Sequence, residues 1–478
     1  MLFVLISLIV INGCPQGIDT GGSIRSDNEG KERGREDSLE RCDVTGPERM
    51  TPSVGVVADC DVAAGIPRIA AARDGAQALV LVRVFGEPIG MLSERLSAQG
   101  LEPHELAAAM VRELEPQLRE RIEESGLTWT GELPTAGLRP PQIPRFLQGR
   151  ALALCEGPTI TVAVCTRDRP EALALILDSL SVQDYGRLQV LVVDNAPSDL
   201  RSQRLVAELA REREIDYVTE PHPGLSWARN RAIEASSGEI VAYVDDDALC
   251  DRWWAVEVAR GFVEVPNAGA VTGIIIPEEL ETQSQSWYEQ YSGVRRGRGF
   301  SRAVFSPATA HLQSPLYPLP PWGSGGNMAF RRDALERIGG FDCALGAGTP
   351  TLGGEDTAAL STLLLAGGTI VYQPSAIVRH RHRREYAAMR RVLLGYGRGL
   401  GAYYTAMLVR QPSCAPELLR LSRQAVRDQF SRHGRRSREL DEDFPRELLR
   451  ANRIGLLQGP FMYAAARLQV GRMKRADM

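Results

Sequence analysis

Between Thr159 and Asp247 the chain alternates short apolar runs with segments of helical character, and this alternation limits the fold more than any other feature. Thr159–Cys165 (TITVAVC), Leu188–Val193 (LQVLVV), Ile215–Thr219 and Glu239–Val244 each read as buried strands. Helices of about 10 to 15 residues fit between them, and Pro170 opens the first, a position where proline is tolerated. Strands alternating with helices imply βαβ units and a mainly parallel sheet covered on both faces. Ligands of such sheets sit beyond the carboxyl ends of the strands. Two of these strands end in acids, Asp194 and the run Asp245-Asp246-Asp247.

Around this core the chain divides into five parts. Residues 1–66 comprise an apolar start (MLFVLISLIVI) and a polar, Gly- and Ser-rich stretch that reads as a disordered linker. Residues 67–137 read as a small α/β module, with a strand at Gln77–Phe85 and a helix at Glu105–Ser125. Residues 138–157, opened by LRPPQIP, read as a second linker. The catalytic candidate spans 158–384, and Glu278–Pro321 within it reads as one long functional or mobile loop. Residues 385–478 are expected to be helical and rich in arginine.

Three adjacent carboxylates at a strand end repel one another unless a cation or hydrogen-bond donors compensate. A hard divalent metal, Mg²⁺ or Mn²⁺, answers that need because it takes one or two carboxylates and bridges phosphate oxygens. Asp194 stands where a carboxylate can accept hydrogen bonds from a nucleobase or ribose. Arg229, in GLSWARN, stands near a helix start, from which it can reach a phosphate or fix the Asp194 loop. Gly353-Gly354-Glu355-Asp356 opens an apolar helix after a glycine-rich loop, and its acids suit capping or general base work. Trp322–Phe330 (WGSGGNMAF) is a second glycine-rich turn. In His380-Arg381-His382 both imidazoles face one side of an extended segment, able to ligate a metal or meet a diphosphate.

Taken together and in this order, these segments resemble the family 2 inverting glycosyltransferases of GT-A fold. The likeness is carried by CTRDRP at 165–170, the VVDN strand end, GLSWARN, the acidic DXD-type run, GSGGNMAFRR followed by IGGFD, and GGED. It covers roughly residues 158 to 384. The resemblance implies a nucleotide-diphosphate sugar donor, a divalent metal and an acceptor hydroxyl on a glycan or lipid. It implies that Thr166, Asp168, Asp194 and Arg229 hold the nucleotide, that Asp245 faces the ribose or metal, and that Asp247 ligates the metal. It implies His380 or His382 as a further ligand, Asp356 as the base, and Gly354 and Glu355 on the acceptor side. The Gln-x-x-Arg-Trp sequence of the processive synthases is missing after the base, so transfer of one sugar per encounter is expected.

Nucleotidyl transfer on a similar sheet would want a glycine-rich basic loop after the first strand, which CTRDRP does not supply. A non-catalytic sugar-nucleotide-binding scaffold would have no physical reason to keep both acidic clusters. Charge adds one clue: from Arg379 onward there are 22 basic and 9 acidic residues, although the whole chain carries only −4. With Leu456–Leu468 inside it, region 385–478 is a candidate for an anionic membrane surface. No basic motif interleaved with aromatics points to nucleic acid. The eight cysteines form no CxxC pair, which suggests neither a zinc ribbon nor a disulfide framework. Residues 1–11 are too short to span a bilayer, and no basic residue precedes them as in a signal peptide. A cytoplasmic protein, peripheral on the inner face of the plasma membrane, is the expectation.

Overall fold

A computed structural model describes residues 55–71, 74–293, 299–309, 314–317, 322–430, 440 and 443–476. The apolar start and most of the expected first linker lie outside the described residues. The linker nonetheless ends earlier than expected, because β1 (Gly55–Asp61) is a strand that pairs in parallel with β2 (Gln77–Val84). β2 pairs antiparallel with β3 (Glu87–Arg95), and α1 (Pro103–Glu124) buries Leu106, Met110 and Leu118 under this three-stranded sheet. Residues 138–157, expected as a linker, instead contain α2 (Gln148–Glu156), whose Ala153 joins the core of the larger domain.

The larger domain starts at β4 (Ile160–Thr166), followed by α3 (Pro170–Ser181), β5 (Leu188–Asn195), α4 (Arg201–Leu209), β6 (Ile215–Glu220), α5 (Leu225–Ala235) and β7 (Ile240–Asp245). The four strands run parallel in the order β7-β4-β5-β6. Period-two alternation explains the two-sided core. Ile160, Val162 and Val164 point to one side with Ile240 and Ala242, against Leu173 and Ile176 of α3. Ala163, Val193, Val241 and Tyr243 point to the other side.

Beyond β7 come β8 (Ala248–Cys250), α6 (Trp254–Glu264), β9 (Ala268–Pro277), α7 (Gln283–Ser292), β10 (Ala303–Phe305), β11 (Asn327–Arg331), α8 (Arg332–Arg337), α9 (Glu355–Leu365) and β12 (Thr369–His380). β11 enters antiparallel between β7 and β9, β12 lies parallel to β9, and β8 and β10 pair with β12. The α/β class, with a mainly parallel sheet between helices, is as expected of a GT-A domain. The expected long loop after Glu278 is not one loop, since α7 and β10 lie within it. The helical C-terminal region is present as α10 (Tyr386–Arg410), α11 (Ala415–Phe430) and α12 (Arg446–Ala476). α10 and α12 pack on the catalytic domain through Tyr403, Met407 and Tyr463 against Leu345 and Ala358. Cys60, Cys155, Cys165, Cys250, Cys343 and Cys414 are all free thiols.

Candidate active site

Strand register brings the first site residues to one level. Thr166 pairs with Asp194, Asp194 with Thr219, and Cys165 with Asp245, so the carboxyl ends of β4, β5, β6 and β7 form a single rim. Asp194 is fully buried. Its Oδ2 accepts the Tyr217 hydroxyl at 2.8 Å, while Oδ1 is buried without a partner. Burial raises the Asp194 pKa, and the Tyr217 hydrogen bond opposes that rise. Asp168 has a left-handed backbone (φ 54°) and accepts the Ser198 amide at 2.8 Å, which holds its carboxyl below the usual range. The rim therefore offers one orphaned acceptor and one half-buried carboxylate on adjacent loops.

The three acids after β7 point in different directions. Asp246 turns inward, accepting the Thr166 hydroxyl at 2.8 Å and an Arg169 guanidinium, and burial pushes its carboxyl up to about 6. Thr166 is thus committed to holding the acidic turn. Asp247 faces the site and meets Arg169 at 2.9 Å, Arg383 at 3.0 Å and His380 Nε2 at 3.2 Å. Burial alone would raise its pKa, but the hydrogen bond and charge of His380, with Arg169, hold it well below the carboxylate range. His380 is the last residue of β12, and it pairs with Ala248 immediately after the acidic run. His382 Nδ1 lies 3.0 Å from His380 Nδ1, but its Nε2 turns to Glu289 at 3.2 Å. Of the two histidines, only His380 reaches Asp247.

Asp356 comes from the first turn of α9. Its Oδ2 accepts the Gly325 amide at 2.6 Å, and its Oδ1 accepts the Thr357 amide at 2.6 Å. The turn at Gly325-Gly326 threads between the two acidic groups. A Cβ at 325 would lie 3.1 Å from Asp356 Cβ, and one at 326 would lie 2.9 Å from Asp245 Oδ2. A side chain at either position would crowd these groups and require them to shift.

Arg229, Gly354 and Glu355 make internal contacts in the structure. Arg229 is buried and donates to Glu355 at 2.8 Å and to the Gly325 carbonyl at 3.1 Å, with Asp245 at 3.6 Å. Its guanidinium is engaged by Glu355 and the Gly325 carbonyl beneath the glycine turn. The Asp194 loop is held instead by the neighbouring Asn195, which accepts the Gly224 amide and donates to the His222 carbonyl. Gly354 and Glu355 are enclosed by the protein. Glu355 is 6% exposed, and a Cβ on Gly354 would lie 2.5 Å from the Gly399 carbonyl of α10.

The residues fit a divalent metal that completes its shell from the substrate. Among the described residues no group of three or more His, Cys, Asp or Glu is arranged to hold an ion alone. Asp247 and His380 do offer a carboxylate and an imidazole side by side, with Asp245 at the same strand end, and Mg²⁺ or Mn²⁺ commonly leaves other positions to water and phosphate. Arg169, Arg383 and Tyr217 escaped the sequence reading. Arg169 lies inside CTRDRP, yet nothing local says that it reaches 77 residues ahead to Asp246.

Residues 161–339 match the model of glycosyl transferase family 2. The succinoglycan biosynthesis protein ExoM of Rhizobium meliloti is 30% identical over 46% of this chain and 65% of its own length. The glucosyl-dolichyl phosphate glucuronosyltransferase of Haloferax volcanii is 23% identical over 48% of this chain and 71% of its own. The chain thus spans slightly less than two thirds of the first of these relatives. A mannosyltransferase from Pyrobaculum calidifontis, solved with GDP-Man and Mn²⁺, covers 67% of this chain and 76% of its own at 20% identity. The TM-score of that likeness is 0.39. The family match falls on the segment that carries Asp194, Arg229 and the acidic run, so that segment is a glycosyl transferase family 2 domain.

Proposed function

We propose that this protein is a metal-dependent, inverting glycosyltransferase that moves one sugar from a nucleotide-diphosphate sugar to an acceptor hydroxyl. The acceptor is a glycan or a lipid-linked sugar in cell-envelope biosynthesis, presented on the cytoplasmic side at an anionic membrane surface contacted by region 385–478. The observation that carries this reading is the Gly325-Gly326 turn, which sets Asp356 on one side and Asp245, with Asp247 beyond it, on the other.

Asp194, with its free buried oxygen, and Asp168 bind the base and ribose. Asp247 and His380, with Asp245 beside them, would hold a divalent ion, which would supply positive charge for the departing diphosphate. The imidazole favours Mn²⁺ over Mg²⁺ there. Asp356 takes the proton from the acceptor hydroxyl as its oxygen bonds to the anomeric carbon and the bond to the diphosphate oxygen breaks on the opposite face. Arg229 and Glu355 position the turn and helix that carry Asp356 without touching substrate. Arg169 and Arg383 orient Asp247.

A thermal-shift screen of nucleotide sugars with Mn²⁺, followed by transfer assays and assignment of the product anomer, tests the reading. Asp356→Asn should keep donor binding and lose at least ~10²-fold in turnover, whereas Asp247→Asn should weaken donor binding that depends on metal. Full turnover by Asp356→Asn, or a product with retained configuration, would overturn it.

A further inference from the structure

Helix α12 has one face inside the protein and an opposite face that no described segment covers. Gly455, Gly459, Tyr463 and Ala466 are buried, packed towards α10. On the other side Ile454, Leu457, Phe461 and Leu468 are 49%, 59%, 51% and 68% exposed. At 3.6 residues per turn these four fall within an arc of about 60°. Arg450 shares that arc at one end of the helix, with Arg446 about 20° outside it, and Arg472 and Arg475 share it at the other. The single acid of α12, Glu447, stands at the edge of the arc and is engaged by Arg390 at 2.7 Å and by the Tyr386 hydroxyl at 3.1 Å.

A stripe of large apolar side chains bounded at both ends by guanidinium groups matches a membrane interface, where the apolar part enters the acyl boundary and the arginines reach lipid phosphates. No helix among the described residues is long and apolar enough to cross a membrane. A second copy of the chain fits the stripe less well, because parallel or antiparallel pairing of two such helices sets arginines against arginines.

We propose that this outward face of α12 is the docking surface for an anionic lipid bilayer, with the helix lying in the plane of the interface. The mount beneath it is rigid. Gly459 of α12 abuts Gly401 of α10, where an added Cβ would lie 2.5 Å from the partner Cα, and Gly399 of the same helix abuts Gly353-Gly354, the turn that opens the Asp356 helix. Docking therefore sets the height of Asp356 above the lipid, which suits a lipid-linked acceptor. This last step rests on the function proposed above, whereas vesicle binding is read without donor or transfer, so the two can fail separately.

The test is sedimentation of the full chain with phosphatidylcholine vesicles and with vesicles that also contain phosphatidylglycerol. Binding should favour the anionic vesicles and weaken with salt. The variant Leu457→Gln, Phe461→Gln, Leu468→Gln should bind them at least roughly tenfold more weakly with an unchanged Tm, since all three side chains are exposed. The variant Arg450→Gln, Arg472→Gln, Arg475→Gln should lose the preference for anionic lipid. Equal non-binding to both vesicles, or undiminished binding by the Leu457, Phe461 and Leu468 variant, would overturn the proposal. So would light scattering that shows a dimer abolished by that same variant, because the stripe would then be an interface between copies.

Discussion

Glu355 illustrates how a residue next to the base differs from the base itself. It is buried with Arg229, one oxygen donated to by the guanidinium at 2.8 Å and the other without a partner. Burial pushes its carboxyl from 4.5 up to about 7, despite the pull of Arg229. Between those values the folded protein binds a proton that the unfolded chain has already released, so this site's contribution to stability is fully present below about 4.5 and is lost as pH rises through about 7. The loss is on the order of 3 kcal/mol. Glu355→Gln removes the titration, and the Tm of the wild type minus that of the variant should fall across this window. Parallel Tm curves would show that Glu355 does not titrate there. Sequence alone could place Glu355 beside Asp356, but one helical step separates a buried side chain from a half-exposed one, and only the packing of α9 decides which is which. Asp194 was legible for the opposite reason: an acid ending an apolar parallel strand has few places to go.

At the scale of elements, legibility followed periodicity. The strands from β4 to β7 and helix α3 are strongly patterned and close to their expected bounds. α2 and α7 are short, polar helices flanked by loops, so neither carries a stripe wide enough to stand out, and β12 contains a proline and a bulged pairing with β9 that break its pattern. The glycines of α10 and α12 are a further case, because a glycine-rich helix scores poorly by propensity and is held by tertiary contact. Gly459→Ala should push the two helices apart at a cost of about 1–3 kcal/mol, lowering Tm by several degrees. Gly471 lies on the same helix with open space around it, and Gly471→Ala should raise stability by up to ~1 kcal/mol. Both changes add one methyl group to α12, so equal Tm shifts would mean that the close contact with α10 does not constrain the helix.

For the whole molecule, the N-terminal module and the catalytic domain share buried charge as well as apolar surface. Leu79, Leu81 and Met91 of the module pack on Ile274, Ile276 and Ile377 of β9 and β12. Arg83 bridges Asp59 of the module and Asp251 of the catalytic domain, and Arg379, adjacent to His380, reaches Asp59 at 2.6 Å. Deeper in, Glu87 of β3 meets Arg260 at 2.6 Å, Arg150 at 3.2 Å and the Ser375 hydroxyl at 2.6 Å, with Glu257 completing the cluster. No motif announces this cluster, because its members lie up to 288 residues apart. A buried charge network is costly to break from one side, since its partners stay behind without compensation. Glu87→Ala should therefore cost about 3–5 kcal/mol, and because the network belongs to both parts the loss should appear in both. Heating should give one transition, shifted down as a whole, and hydrogen exchange should accelerate in β2 and in β9 together. Two separate transitions, or faster exchange confined to the module, would mean that the module folds independently and does not brace the strand that presents His380.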